Sequence, residues 1–245
     1  MDSPEFILKY LASATFAKGA GMTLAISVLS LAFGMLVGLV VALLQESRLA
    51  PLRGAAVGYL WLFRGTPVLF QLIFVFNVLP LVGLTFSGFT CAIIGLSLNE
   101  GAYMAEIMRS GIQAVGRGQR TAGRALGLKD WQVMRWIVLP QAVRIIIPPV
   151  GNQFIGMLKL SALVSVIAVE ELLLIANQTA SANFRYIEAL TAAGIYYLAM
   201  TTVLMLLQAQ VERWAKRRGR RPSVVKAVSL TQRLIGVTAG EARTR

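Results

Sequence analysis

Arg64, Glu100, Lys159 and Ser161 are polar side chains set inside long apolar stretches of a 245-residue chain. A charge at mid-bilayer costs about 2.5–3.5 kcal/mol on insertion scales. Such groups therefore face a bundle interior or a water-filled cavity. Fixed charges of both signs suit a path for a polar or zwitterionic solute, gripped and released without bond chemistry. The same residues suit a structural reading: mutual ion pairs, or caps for carbonyls freed at a kink such as Pro67. Covalent chemistry has little support. The chain has no His and one Cys, Cys91, within an apolar run. That excludes imidazole acid–base catalysis, His–Cys metal sites and an intrachain disulfide. There is no paired-carboxylate motif and no GxxxxGK[ST] loop, so nucleotide hydrolysis by that route is not expected of this chain. No metal or cofactor is expected on it either.

The elements that position these groups are membrane spans. The chain is 56% hydrophobic, and a helical span needs about 20 apolar residues. Five spans are expected, near 21–44, 54–79, 89–112, 141–176 and 187–209. Gly34 and Gly38 give the first a GxxxG spacing that permits close helix contact. Pro67 breaks or kinks the second. Glu106 and Arg109, at i and i+3 in the third, read as a surface ion pair. The fourth is longer than one crossing needs and carries Pro148 and Pro149 early, so an interfacial piece or a bend is expected. A polar loop is expected at 177–186. Residues 1–18 read as a short amphipathic segment. Residues 216–245 read as a basic, largely disordered tail. The net charge of +13 lies mostly at span borders, which fits the positive-inside rule better than nucleic-acid binding. Lys and Arg cluster after the first, third and fifth spans. This puts the N-terminus outside and the C-terminus in the cytoplasm.

The long polar interruption at 116–140 then faces the cytoplasm. Arg117, Arg120, Arg124, Lys129 and Arg135 stand there against a single carboxylate, Asp130. A helix is expected over 119–126, ending at Gly127 in the left-handed position that follows many helices. Asp130 is expected to cap a second short helix. Ala122, Ala125 and Leu126 share one face. A face so small suits close docking in a partner's groove. The plainer reading is a loop folded back on its own protein.

Five stretches together resemble a known family. They are 59–71 (YLWLFRGTPVLFQ), 102–109 (AYMAEIMR), 118–127 (GQRTAGRALG), 137–142 (IVLPQA) and 158–167 (LKLSALVSVI). In this order they resemble the membrane-spanning permease subunit of a bacterial ATP-binding-cassette importer, more narrowly the polar amino-acid branch, over about 19–215. The resemblance implies an all-α integral protein of the inner membrane with the type I importer permease fold and five transmembrane helices. It implies a coupling loop at 116–140 in which Gln119, Thr121, Ala122, Gly123, Ala125, Leu126 and Gly127 meet a separate ATPase. The implied partners are two ATPase subunits that use ATP and Mg, a second permease chain, identical or related, and an extracytoplasmic solute-binding protein. Two departures stand out. Thr121 and Gly123 occupy the family's Glu and second Ala, and Leu160-Ser161-Ala162 replaces its Asp-Thr-Ser.

An ion-coupled secondary transporter or channel would need no ATPase. No inverted repeat is visible, and five spans do not divide into two halves. A secondary transporter also has no reason to punctuate the cytoplasmic loop in this way. A membrane anchor for soluble partners would not require Arg64, Glu100 and Lys159 to be buried.

Overall fold

The computed structural model describes residues 3–219, with side chains over 4–215. Helices carry nearly all of it, and no strand occurs among the described residues. Helix α1 is Ser3–Leu11 and α2 is Ala14–Gln45. Then come α3 (Ala50–Gly65), α4 (Val68–Val78) and a 3₁₀ turn at Leu79–Val82. Helix α5 is Gly88–Ala114 and α6 is Arg117–Ala125. A single turn, α7 (Asp130–Gln132), passes through a π-helical segment at Val133–Val138 into α8 (Leu139–Leu160). A 3₁₀ segment at Ser161–Ile167 precedes α9 (Leu172–Asn183), and α10 is Tyr186–Gly219.

Ala14–Gln45, Asp130–Ile167 and Tyr186–Ala215 are each long and apolar enough to cross a membrane. Helices α3 and α4 together pass the same test, bent by 104° at Thr66–Pro67. Helix α5 is less apolar because it is the packed centre of the bundle. Its Cys91, Ala92, Leu96, Ala102, Met104 and Ala105 are buried among the other helices. One core joins Ile26 of α2, Leu72 of α4, Leu96 of α5 and Met157 of α8. A second joins Tyr10, Phe16, Leu172 and Ala192, so α1 is docked on α10.

The 104° bend has an identifiable clamp. Pro67 supplies no N–H to the preceding turn. Gln71 Nε2 takes up the Phe63 and Thr66 carbonyls at 3.0 and 3.2 Å. Asn99 Nδ2 donates to the same Phe63 carbonyl at 3.1 Å and to Gln71 Oε1 at 3.0 Å. Carbonyl caps were anticipated here from charged residues, but two amides do the capping.

Other expectations need correction. Helix α8 runs unbroken through Pro148 and Pro149, with Gln208 of α10 donating to the Pro148 carbonyl at 2.8 Å. The bend lies later, at Ala168, a non-glycine residue at φ 58°. Most of the loop expected at 177–186 is the end of α9. Lys129, not Asp130, is the N-cap of α7. Glu106 and Arg109 do not pair with each other: Glu106 meets Arg64, and Arg109 Nε lies 3.7 Å from Glu46. Helix α10 continues past 216 to Gly219, and the rest of the expected tail, 220–245, lies outside the described residues.

Beyond Ala168, Glu171 locks α9 in place. Its side chain is fully buried. One oxygen accepts from the Leu174 N–H at 2.8 Å and so caps α9. The other accepts from Tyr197 at 2.8 Å and Thr23 at 3.3 Å, which ties α9 to α10 and α2. Glu171→Ala removes the acceptor common to three donors. Leaving one buried donor unsatisfied costs about 1–3 kcal/mol. The variant is expected to melt well below the parent in detergent. An unchanged melting temperature would show that water takes over the site.

Candidate functional site

Two regions could carry function: the polar loop, and a polar face of α5 beside α3 and α8.

The loop is a small folded unit. Helix α6 is too short to persist alone, and three contacts hold it. Its C-terminus closes in a Schellman motif: Gly127 N–H donates to the Arg124 carbonyl at 2.9 Å, and Leu128 N–H to that of Gly123 at 3.2 Å. Gly127 sits at φ 81°, a conformation that favours glycine. Arg124 Nε reaches Asp130 Oδ1 at 2.7 Å across the turn, and Arg120 donates to the Ile112 carbonyl at the end of α5, at 2.9 Å. Below them Leu128 joins a local core of Val115, Val133, Val138 and Ala142. Lys129 N–H donates to Gln132 at 2.8 Å. Lysine has no acceptor to return the bond, so this is half of a capping box.

This arrangement sorts the expected loop residues by face. Thr121, Ala122, Ala125, Leu126 and Gly127 are exposed, Leu126 by 81%, and Gln119 is half-buried. Gly123 faces inward. A Cβ there would stand 2.6 Å from Ile137 Cδ1 and 3.1 Å from Val133 Cγ2. An alanine here would need the Ile137 and Val133 side chains to shift. Thr121 donates to the Arg117 carbonyl at 3.2 Å within α6. Sequence reading missed Trp131 and Trp136, which are more than half exposed, with ring centroids 5.9 Å apart beside the loop.

The four expected path residues do not converge. Ser161 is buried and donates to the Leu158 carbonyl at 2.8 Å. Lys159 is exposed in a separate groove with Asn152 and Gln208. Glu100 is 2% exposed and accepts from Gln153 Nε2 at 3.0 Å. Arg64 forms its ion pair with Glu106, and its guanidinium carbon lies 5.6 Å from the Tyr103 ring centroid. What the fold does assemble is a stripe on α5. Tyr103, Glu106, Ser110 and Gln113 are all exposed on one face, at i, i+3, i+7 and i+10. They line a cleft of about 570 Å³ with Arg109 and Gln153. That helical spacing was visible in the sequence. Pairing Glu106 with Arg109 concealed it.

A bundle of helices long and apolar enough to cross a membrane, with a polar cleft and a clipped peripheral loop, has the make-up of an integral membrane protein. Comparison with known proteins agrees. The chain belongs to the family of binding-protein-dependent transport system inner membrane components, whose model matches residues 34–217. It is therefore an inner-membrane transport subunit rather than an enzyme, and in such systems a separate subunit hydrolyses ATP. It is 40% identical over 196 residues to a probable amino-acid ABC transporter permease protein, YckA, of Bacillus subtilis (strain 168), covering 80% of this chain and 87% of that protein. It is 37% identical over 201 residues to the glutamine transport system permease protein GlnP of Escherichia coli (strain K12), covering 81% and 92%. A crystal structure of an amino acid ABC transporter superposes with TM-score 0.78 at 40% identity, covering 81% of this chain and 93% of that one. The MetNI methionine ABC transporter, at TM-score 0.71 and 20% identity, shares the fold, with 82% and 96% covered. The fold is that of a type I permease.

Proposed function

We propose that this chain is the permease subunit of an ATP-driven importer that moves a polar amino acid across the inner membrane by alternating access. The carrying observation is α6, a short helix clipped to its own bundle by its back while Ala122, Ala125 and Leu126 face away, exposed among the described residues. The named relatives support the amino-acid cargo. In this reading α2, the bent α3–α4 pair, α5, α8 and α10 make five crossings over 19–215. The N-terminal segment 1–18 lies outside, and the basic segment from 216 lies in the cytoplasm. Two ATPase subunits, which hold the ATP and Mg, take α6 in a groove. A second permease chain faces the α5 stripe, because Arg64, Glu106 and Arg109 do not belong in hydrocarbon. A solute-binding protein delivers cargo outside. Closing of the ATPase pair then moves α6, and the rigid connection through Val133–Val138 into α8 carries that motion to the spans. Coupling of this kind needs a contiguous element that differs between two global states.

The test is purification of the tagged chain from its native membrane and identification of what accompanies it. A P-loop ATPase is expected, together with any second permease chain. A chain that purifies alone and supports solute flux driven by an ion gradient would overturn the reading.

A further inference from the structure

We propose that the Arg64–Glu106 ion pair is an exchangeable clamp for the α-carboxylate and α-ammonium of a zwitterionic amino acid. This inference rests on the importer reading above. The two partners line different clefts. Arg64 lines one of about 580 Å³ with Arg53, Trp61 and Arg109. Glu106 lines the other, of about 570 Å³, with Tyr103, Ser110, Gln113 and Gln153. Arg109 borders both.

The two side chains are 41% and 47% exposed. Where such a pair faces a water-filled cleft, rather than lipid or a partner chain, it contributes little to stability. It is therefore poorly suited to serve as a structural tie, and it contrasts with Glu171, whose three partners are internal. An open pair is also easily exchanged. A free amino acid carries the same two charges on adjacent atoms. Its carboxylate can replace Glu106 on the guanidinium, which donates two parallel hydrogen bonds to a carboxylate. Its ammonium can replace Arg64 on the Glu106 carboxylate. Charge is conserved throughout, and no proton moves. Tyr103 keeps the guanidinium in place during the exchange through its ring face. The substrate side chain then lies among Ser110, Gln113 and Gln153, neutral polar groups suited to a polar side chain.

The test is a charge reversal. Arg64→Glu, Glu106→Arg and the double variant are co-expressed with the ATPase and the binding protein in an uptake-deficient strain. Uptake of each of the twenty radiolabelled amino acids is measured first for the parent, then the variants are assayed with the best substrate. Each single variant is expected to lose at least tenfold in uptake. The double variant remakes an ion pair and is expected to recover the yield and melting temperature of the purified complex. It still presents each charge from the wrong side of the cleft, so its uptake stays within twofold of the single variants, with a raised KM. Uptake restored to the parent level in the double variant would make the pair structural and overturn the clamp. A parent complex that takes up none of the twenty amino acids would overturn the amino-acid reading, and the clamp with it.

Discussion

Ala122→Trp is expected to abolish ATP-coupled uptake while the protein still inserts and folds. Ala122 is exposed on α6, so the indole points away from the described bundle. It meets only what docks there. Forcing a large side chain into a close-packed contact costs about 1–3 kcal/mol. That is roughly a ten- to hundredfold loss in association with the ATPase. Gly127→Pro attacks the same helix from within. Proline holds φ near −65° and has no N–H, whereas this position sits at φ 81° and donates to Arg124. The Schellman closure is lost, and α6 frays from its C-terminus. The local core around Leu128 is separate from the cores between the spans, so the melting temperature of the isolated permease is expected to change far less than uptake. The assay is ATPase activity stimulated by loaded binding protein in reconstituted vesicles, with co-purification alongside. Parental stimulation in both variants would show that α6 is not the docking element.

Much of this fold could be read from the sequence because the bilayer leaves few choices. Apolar length marked three helices and one bent pair that are long and apolar enough to cross a membrane, and Pro67 marked the break that is a 104° bend. Gly127 marked the end of α6 because few other residues take a positive φ without strain. Side-chain partners were much less legible. Glu106 has Arg109 at i+3 and was assigned to it. Only tertiary packing shows that α3 brings Arg64 to the same carboxylate. Sequence proximity was a local rule, and a non-local contact overrode it. Gly123 was grouped with the docking residues for a related reason. Its neighbours on α6 are exposed, but Val133 and Ile137 come back over it from the far side of the turn. Pro148 and Pro149 misled in the opposite direction. Helix α8 runs through both; Gln208 on α10 bonds the Pro148 carbonyl, whereas the carbonyls that the two prolines free belong to Arg144 and Ile145.

Gly38→Leu is expected to prevent the bundle from closing. Gly34 and Gly38 lie where α2 crosses α5, and both approach within less than an ordinary side-chain contact. A Cβ on Gly38 would stand 2.4 Å from Met104 Cβ and 2.9 Å from the Ala105 nitrogen. One on Gly34 would stand 2.8 Å from Glu100 Cβ and Cγ. Helix α5 answers with its own glycine: a Cβ on Gly101 would meet Val37 Cγ1 at 2.6 Å. Small residues on both partners let two backbones come together, and in lipid such packing is a main source of helix association. A flexible side-chain tip could move aside for a leucine, but the Ala105 backbone cannot. The helices must separate or rotate. Overpacking of a well-filled contact costs about 1–3 kcal/mol, and a backbone obstruction puts this substitution at or beyond the upper end. Separation would also draw Glu100 away from Gln153, disturbing the polar cleft from behind. Gly58→Leu on α3 is the matched control, because nothing lies within 4 Å of its Cβ position. It adds the same side chain to a helix of the same protein without a collision. Thermal melts followed by size exclusion in detergent should separate the two, with Gly38→Leu aggregating at temperatures where parent and control remain monodisperse. If Gly38→Leu melted within about 2 °C of the control, less than the shift about 1 kcal/mol gives even a larger domain, the close crossing of α2 and α5 would not be what holds the bundle together.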